Sequence, residues 1–300
     1  MAFEDAVIWR DGELIPFADA TVHVLSHAAH RGSEVFDVLR VYDTGSGPAA
    51  LGLRPHVARF DRSMQMMGME TPYDVATLEK AVVETVLANP GSSFVKLIGA
   101  WAEVAMSTAP ESTRPSVLVA ALPSDQSNDP LSESVRIHTA EMPKIPASVL
   151  PPSLKVAASY TPALRHQLQA TAEGWDDVIF RSTEGRLAEA TTQAMLVVKG
   201  ERIAGPPLDT VLDSITRRLV LDVAQLLDLT VEARDVYWDQ VTGADELIMT
   251  STTHLVRPVS QLDDVKFEAP GPVARQLGEA LSELIAGRHQ LSDRWLSPLS

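Results

Sequence analysis

"SLKVAASY", residues 153–160, sets one lysine among small apolar side chains and closes on a tyrosine. Lysine is scarce in this chain, at positions 80, 96, 144, 155, 199 and 266 only, so the placement asks for a reason. One reading is that the methylene stem of Lys155 covers apolar surface while its ammonium reaches water. The other is that Lys155 works as an amine: an ammonium with little polar company gives up its proton more readily, and the neutral amine is a nucleophile. The stretch alone leaves both open.

Outward from it, the bulk properties narrow the classes. The chain has 300 residues, 45% hydrophobic and 22% charged, which suits one large domain or two ordinary ones with a real core. A net charge of −15 and a pI near 4.9 would repel a phosphate backbone, so no nucleic-acid partner is expected. No apolar run approaches the ~20 residues of a membrane span, and the start, "MAFEDAVIWRDGEL", lacks a basic segment followed by an apolar one. The expectation is a soluble cytoplasmic protein with no membrane partner. With no cysteine, disulfides, Fe–S ligation, thiol nucleophiles and cysteine zinc sites are excluded, and no metal ligand is assigned.

The N-terminal part alternates short strands with helices. Asp11–Gly12 between apolar runs predicts a hairpin, 34–42 reads as a strand, and 54–69 has helical spacing with Val57, Phe60, Met64 and Met67 on one face. A second helix over 75–89 stops before Pro90, and strands follow at 92–101 and 116–122. Residues 123–134, "PSDQSNDPLSES", are polar and aperiodic. They read as a linker between a small α/β domain, 1–122, and a large one, 135–300. The second half reads as a strand at 135–142, a helix at 163–174, strands at 176–181 and 187–198, and long helices at 212–229 and 272–287. This order suits two α/β (α+β) domains with mixed sheets in both, and no GxGxxG or GxxxxGK loop argues for dinucleotide or P-loop binding.

"FADATVHVLSHAAHRGSEVF" (17–36) resembles the opening of class IV aminotransferases, the pyridoxal-phosphate enzymes of fold type IV, whose branched-chain members carry a "DAxVHVxSHALHYG" stretch. The resemblance continues in order through "LRPHVARFDRS", "SLKVAASY", "WDDVIFRSTEGRLAE", "LDSITRRLV", "ADELIMTSTTHLVRPV" and "DRWLSPL", essentially the whole chain. It implies a pyridoxal 5'-phosphate cofactor, a Schiff base on Lys155, and transfer of an amino group between a small-molecule donor and a 2-oxo acid acceptor. It also implies a homodimer. Tyr160 falls on the tyrosine that bonds the cofactor's phenolic oxygen, and Glu189 on the carboxylate paired with the pyridine nitrogen. Arg59, Ile215, Thr216 and Thr252 fall on the phosphate-binding set; Ile215 and Thr216 open a helix, where backbone N–H groups face anions. The turn 252–254, with Thr253 and His254, falls where relatives hold a substrate carboxylate. Among the other lysines, Lys144 lies between prolines in "MPKIP", Lys199 precedes a glycine and Lys80 sits on an amphipathic helix, so none competes with Lys155.

The departures gather around substrate. The tyrosine of "HYG" is Arg31 here, either a carboxylate ligand or an interface or surface arginine. The family's "FEGxR" becomes Phe36-Asp37-Val38-Leu39-Arg40, so Val38 fills room that a glycine leaves, and Arg40 reads as a pocket wall or a support behind it. Lys96 replaces an arginine, and an asparagine five residues beyond Glu189 is Ala194. The leading expectation is a transaminase for small or branched aliphatic amino acids. "VFDVLRVY" (35–42) resembles the "VYEVIRVY" of D-amino acid transaminases, so that its Asp37–Val38 raises an (R)-selective amine or D-amino acid transaminase, and the shared fold raises 4-amino-4-deoxychorismate lyase.

Overall fold

Asp11 and Gly12, with φ of 51° and 103°, close the first hairpin in the computed structural model, which describes residues 3–299. Positive φ at both central positions matches the twist of the flanking strands. The hairpin joins β1 (Val7–Arg10) to β2 (Glu13–Pro16). There follow α1 (His27–Arg31), β3 (Val35–Thr44), β4 (Gly47–Leu51), α2 (Leu53–Met66), α3 (Val75–Ala88), β5 (Phe94–Ala100) and β6 (Ser116–Leu122). The chain divides into two units, and these elements form the first, together with Leu154–Ala158 and the C-terminal segment from Ser292.

The seven-stranded sheet of this unit runs in the order Leu296–Pro298, β4, β3, β5, β6, β1, β2. Every neighbouring pair is antiparallel, which corrects the expectation of a mixed sheet here. A parallel pair needs a crossover element between the two strands; α2 and α3 link β4 to β5, which are not neighbours. From α2, Val57, Phe60 and Met64 are fully buried, each stabilising by roughly 2 kcal/mol. The helix ends at Met66 rather than at 69, where Met67 caps it by donating its N–H to carbonyls of the last turn.

The second unit holds Ser127–Ser153 and Ser159–Leu291; Leu154–Ala158 and the segment from Ser292, expected within 135–300, group with the first. Its elements are β7 (Val135–Thr139), α4 (Thr161–Ala172), β8 (Asp177–Arg181), β9 (Leu187–Ala190), β10 (Ala194–Lys199), β11 (Arg202–Gly205), α5 (Ile215–Leu226) and β12 (Thr230–Ala233). They continue with α6 (Trp238–Thr242), β13 (Glu246–Thr250), β14 (Arg257–Leu262), β15 (Val265–Lys266) and α7 (Pro272–Ile285). The sheet order is β12-β11-β10-β13-β14-β7-β8-β9, with β15 on β14. This sheet is mixed as expected: β7–α4–β8 and β11–α5–β12 are crossovers between parallel neighbours. Its core gathers Ile137, Ile179, Met195, Leu247 and Met249.

The strand expected over 187–198 is broken into β9 and β10. Thr191 Oγ1 donates to the buried carboxylate of Asp177 at 2.7 Å and Gln193 Nε2 does so at 3.3 Å, while Ala190 N–H closes a turn onto the Gln193 carbonyl at 2.9 Å. Side-chain bonds of this kind compete with ladder pairing. Among the described residues no helix is long and apolar enough to cross a membrane.

Candidate active site

Lys155 belongs to a short extended piece laid along β3. Its N–H donates to Ser63 Oγ at 3.2 Å, its carbonyl accepts Phe36 N–H at 3.2 Å, and Ala157 N–H reaches the Glu34 carbonyl at 2.8 Å. Val156 bridges Val35 in antiparallel register. Backbone fixed on both sides of the lysine aims its side chain, and Nζ stands 4.7 Å from the centre of the Phe36 ring. The lysine is half-buried. Small neighbours therefore serve close backbone packing as well as an apolar setting.

Alternation along β3 decides which side chains share that setting. Val35, Asp37 and Leu39 point to the buried face at 0% exposure, and Phe36 and Val38 to the other, partly open face. On the buried face Asp37 meets α2, whose His56, Arg59 and Ser63 recur at helical spacing. Arg59 Nε donates to Oδ2 at 2.7 Å and Nη2 to Oδ1 at 2.8 Å, while His56 Nδ1 lies 2.7 Å from Oδ1. Burial alone would raise the Asp37 carboxyl, but the Arg59 guanidinium and His56 outweigh it and hold the group well below the usual carboxylate range. Burial lowers His56, and Arg59 and Lys155 add to that against the opposing pull of Asp37. The ring is thus neutral at pH 7, and since an ionised carboxylate only accepts, Nδ1 carries the proton.

The expected substrate contacts separate into groups. Lys96 pairs with Val38 in the strand register, its Nζ 3.1 Å from Glu34 Oε1 and 5.0 Å from the Phe36 ring. Phe36 is thus flanked by both lysines. Arg40 is buried, with its guanidinium over the rings of Tyr42 and Phe94 at 4.9 and 5.1 Å and Nη2 on the Gln126 carbonyl at 3.2 Å. Cation–π stacking and a backbone bond hold it on the same face of β3 as Phe36 and Val38. Arg31 is exposed at the end of α1, near His30 Nδ1 and the Met106 carbonyl at 3.4 Å each.

In the second unit, Glu189 lies on β9 with its side chain 19% exposed. Its Oε1 receives the ammonium of Lys144, and its Oε2 accepts Leu212 N–H at 3.2 Å. The lysine set aside on sequence grounds thus partners the carboxylate assigned to the pyridine nitrogen. Ser214 caps α5 by accepting Arg217 N–H at 3.1 Å, leaving Ile215 and Thr216, both buried, in the first turn, where N–H groups have no intrahelical acceptor. The Arg217 guanidinium lies flat over Gly205, where an added Cβ would sit 3.0 Å from Nη2. Its Nη1 is buried without a hydrogen-bond partner among the described residues; burial lowers the group's pKa and Glu189 opposes the shift.

Thr252, Thr253 and His254 lie in the turn between β13 and β14. Ser251 N–H donates to the His254 carbonyl at 2.8 Å, Ser251 Oγ accepts His254 N–H at 3.2 Å, and His254 Nδ1 lies 3.0 Å from Ser132 Oγ. Tyr160 ends a 3-10 turn, half-buried, at the start of α4. Ala194 opens β10 opposite Thr250, buried, its methyl offering no polar atom. Asp37, His56, Ser63, Lys144 and Arg217 were not singled out from the sequence for the site. The one available signal was polar side chains at 56, 59 and 63, three and four residues apart beside the apolar face of α2.

One unit thus carries a half-buried lysine on an antiparallel sheet, and the other carries a carboxylate and a helix N-terminus on a mixed sheet. A T.th. branched-chain amino acid aminotransferase, solved with N-(5'-phosphopyridoxyl)-L-glutamate, is 31% identical with a TM-score of 0.92, and each chain is covered over 100%. The branched-chain aminotransferase of Thermoproteus uzoniensis, solved with norvaline, is 27% identical with a TM-score of 0.92, over 98% of this chain and 99% of that one. The branched-chain-amino-acid aminotransferase of Pseudomonas aeruginosa is 28% identical over 300 residues, 98% of each chain. The sequence profile described as amino-transferase class IV matches residues 34–262, and this chain belongs to that family.

The protein is therefore an aminotransferase that depends on pyridoxal phosphate. Each unit by itself holds donor types that suit such a cofactor: the first an amine, the second a carboxylate and N–H groups at a helix N-terminus that lack an intrahelical acceptor.

Proposed function

We propose that the enzyme moves an amino group from a small or branched aliphatic amino acid to a 2-oxo acid. The observation that carries the reading is Lys155, whose backbone is bonded on both sides so that its amine is presented beside Phe36. In this reading Arg59, Ile215, Thr216 and Thr252 hold the cofactor phosphate, Tyr160 bonds the phenolic oxygen, and Glu189 keeps a proton near the ring nitrogen. Phe36 and Val38 bound the substrate side chain, with Lys96 beside them, and the turn carrying Thr253 and His254 receives its carboxylate. Pyridoxal phosphate, when bound, supplies an aldehyde for the amino group and a ring that takes up the electron pair left at Cα. With that group bound, Lys155 Nζ would serve as the base that takes the substrate's Cα proton and then as the acid that gives a proton back. Asp37 and His56 support Arg59 by fixing the plane of its guanidinium.

The reading includes a homodimer. Supporting it, Val24, Val104 and Met106 are 75%, 54% and 76% exposed on two segments of the first unit that are joined by the Ser26–Val104 bridge. Apolar side chains left open together mark an association surface.

The test is a half-reaction without acceptor. Cofactor-loaded protein is mixed in turn with L-leucine, D-alanine and an (R)-arylalkylamine, and loss of the visible cofactor band is followed. Bleaching by L-leucine alone is expected. Bleaching by D-alanine or the amine instead would transfer the assignment to the opposite stereochemistry, and pyruvate release from 4-amino-4-deoxychorismate would mark a lyase.

A further inference from the structure

Lys144 is delivered from a constrained backbone. Pro143 and Pro146 flank it, and its N–H donates to the Arg181 carbonyl at 2.9 Å, which ties the loop to the end of β8. From there its ammonium takes Oε1 of Glu189, with both side chains 19% exposed, so solvent screens the pair only in part. Leu212 N–H takes Oε2. Lys144 from the loop after β7 and the buried Arg217 from α5, two positive charges, both bear on this carboxylate.

We infer that Lys144 is a positioning and charge-setting residue for Glu189, competing with the cofactor's ring nitrogen for that carboxylate and so lowering the nitrogen's hold on its proton. This rests on the assignment of Glu189 to the ring nitrogen made above. The physical reason is direct: a protonated ring is a cation, a nearby ammonium disfavours it, and a carboxylate already paired with a lysine compensates it less. A glutamate with no lysine beside it would hold the ring proton more tightly. Sequence reading had no cause to look here, because the two residues are 45 positions apart.

The experiment loads the full-length protein with ¹⁵N-labelled pyridoxal phosphate and follows the ring-nitrogen chemical shift against pH for the wild type, Lys144→Met, Lys144→Arg and Glu189→Gln. Removing the ammonium should move the ring-nitrogen titration upward by roughly one pH unit or more, and Lys144→Arg, which keeps the charge, should stay near the wild type. A shift in Glu189→Gln with none in Lys144→Met would overturn the role of Lys144 while leaving Glu189 in place. No shift in Glu189→Gln would overturn the Glu189 assignment and this inference with it. Lys144→Gln is a second neutral variant, and thermal unfolding of each cofactor-free protein shows whether it is folded; a purely structural role would lower the melting temperature without moving the titration.

Discussion

Arg59 grips Asp37 with two edges of one guanidinium, Nε to Oδ2 at 2.7 Å and Nη2 to Oδ1 at 2.8 Å, while His56 holds Oδ1 from the same helix. Asp37 is fully buried and Arg59 is 4% exposed, so removing one partner strands a charge away from water. Asp37→Asn should cost about 3–5 kcal/mol of stability at pH 7, measured by denaturant unfolding. The carboxyl is lowered on folding, so its contribution is present above the unfolded value of 3.8 and is lost as pH falls through the lower folded value. The gap between wild type and variant should persist to about pH 4 and narrow only below it.

His56 predicts a second pH effect. Its folded value lies below 6.5, so in the window beneath 6.5 the unfolded chain binds more protons and stability falls as the pH falls. Above 6.5 the contribution is constant. His56→Gln should flatten the stability profile in that window; an equal slope in both proteins would rule out a buried neutral histidine.

Lys155→Ala should abolish the visible band of cofactor-loaded protein and lower the half-reaction rate by about a thousandfold or more, since base and nucleophile are lost together. Far-ultraviolet circular dichroism should not change, because Lys155 is attached to β3 and α2 through its backbone. An unchanged visible spectrum would refute the assignment.

Val38 lies beside Phe36 on the partly open face of β3, opposite Lys96 in register. Val38→Gly should raise kcat/KM for leucine relative to alanine by several-fold, because the site gains roughly the volume of an isopropyl group. The same change should cost about 1 kcal/mol in the strand. A fall for both donors in equal proportion would mean that Val38 does not face substrate.

The Asp11–Gly12 hairpin, the apolar face of α2 and the opening of α5 at Ile215–Thr216 were legible because each depends on residues close in sequence. The break at Thr191–Gln193 was not, since a buried Asp177 from another strand pulls those side chains out of the ladder. The antiparallel character of the first sheet was hidden too, because strand neighbours depend on which connections cross over.

For the site, the ordered motifs carried the resemblance to class IV aminotransferases, and that resemblance named Lys155, Glu189 and the helix-opening Ile215–Thr216. Spacing could not show that Lys144 would meet Glu189, or that His56 and Arg59 would close on Asp37. Those pairings span 45 residues in one case and 19 and 22 in the other. Charge pairing acts over a few ångströms, and only the folded chain brings such distant residues within that range.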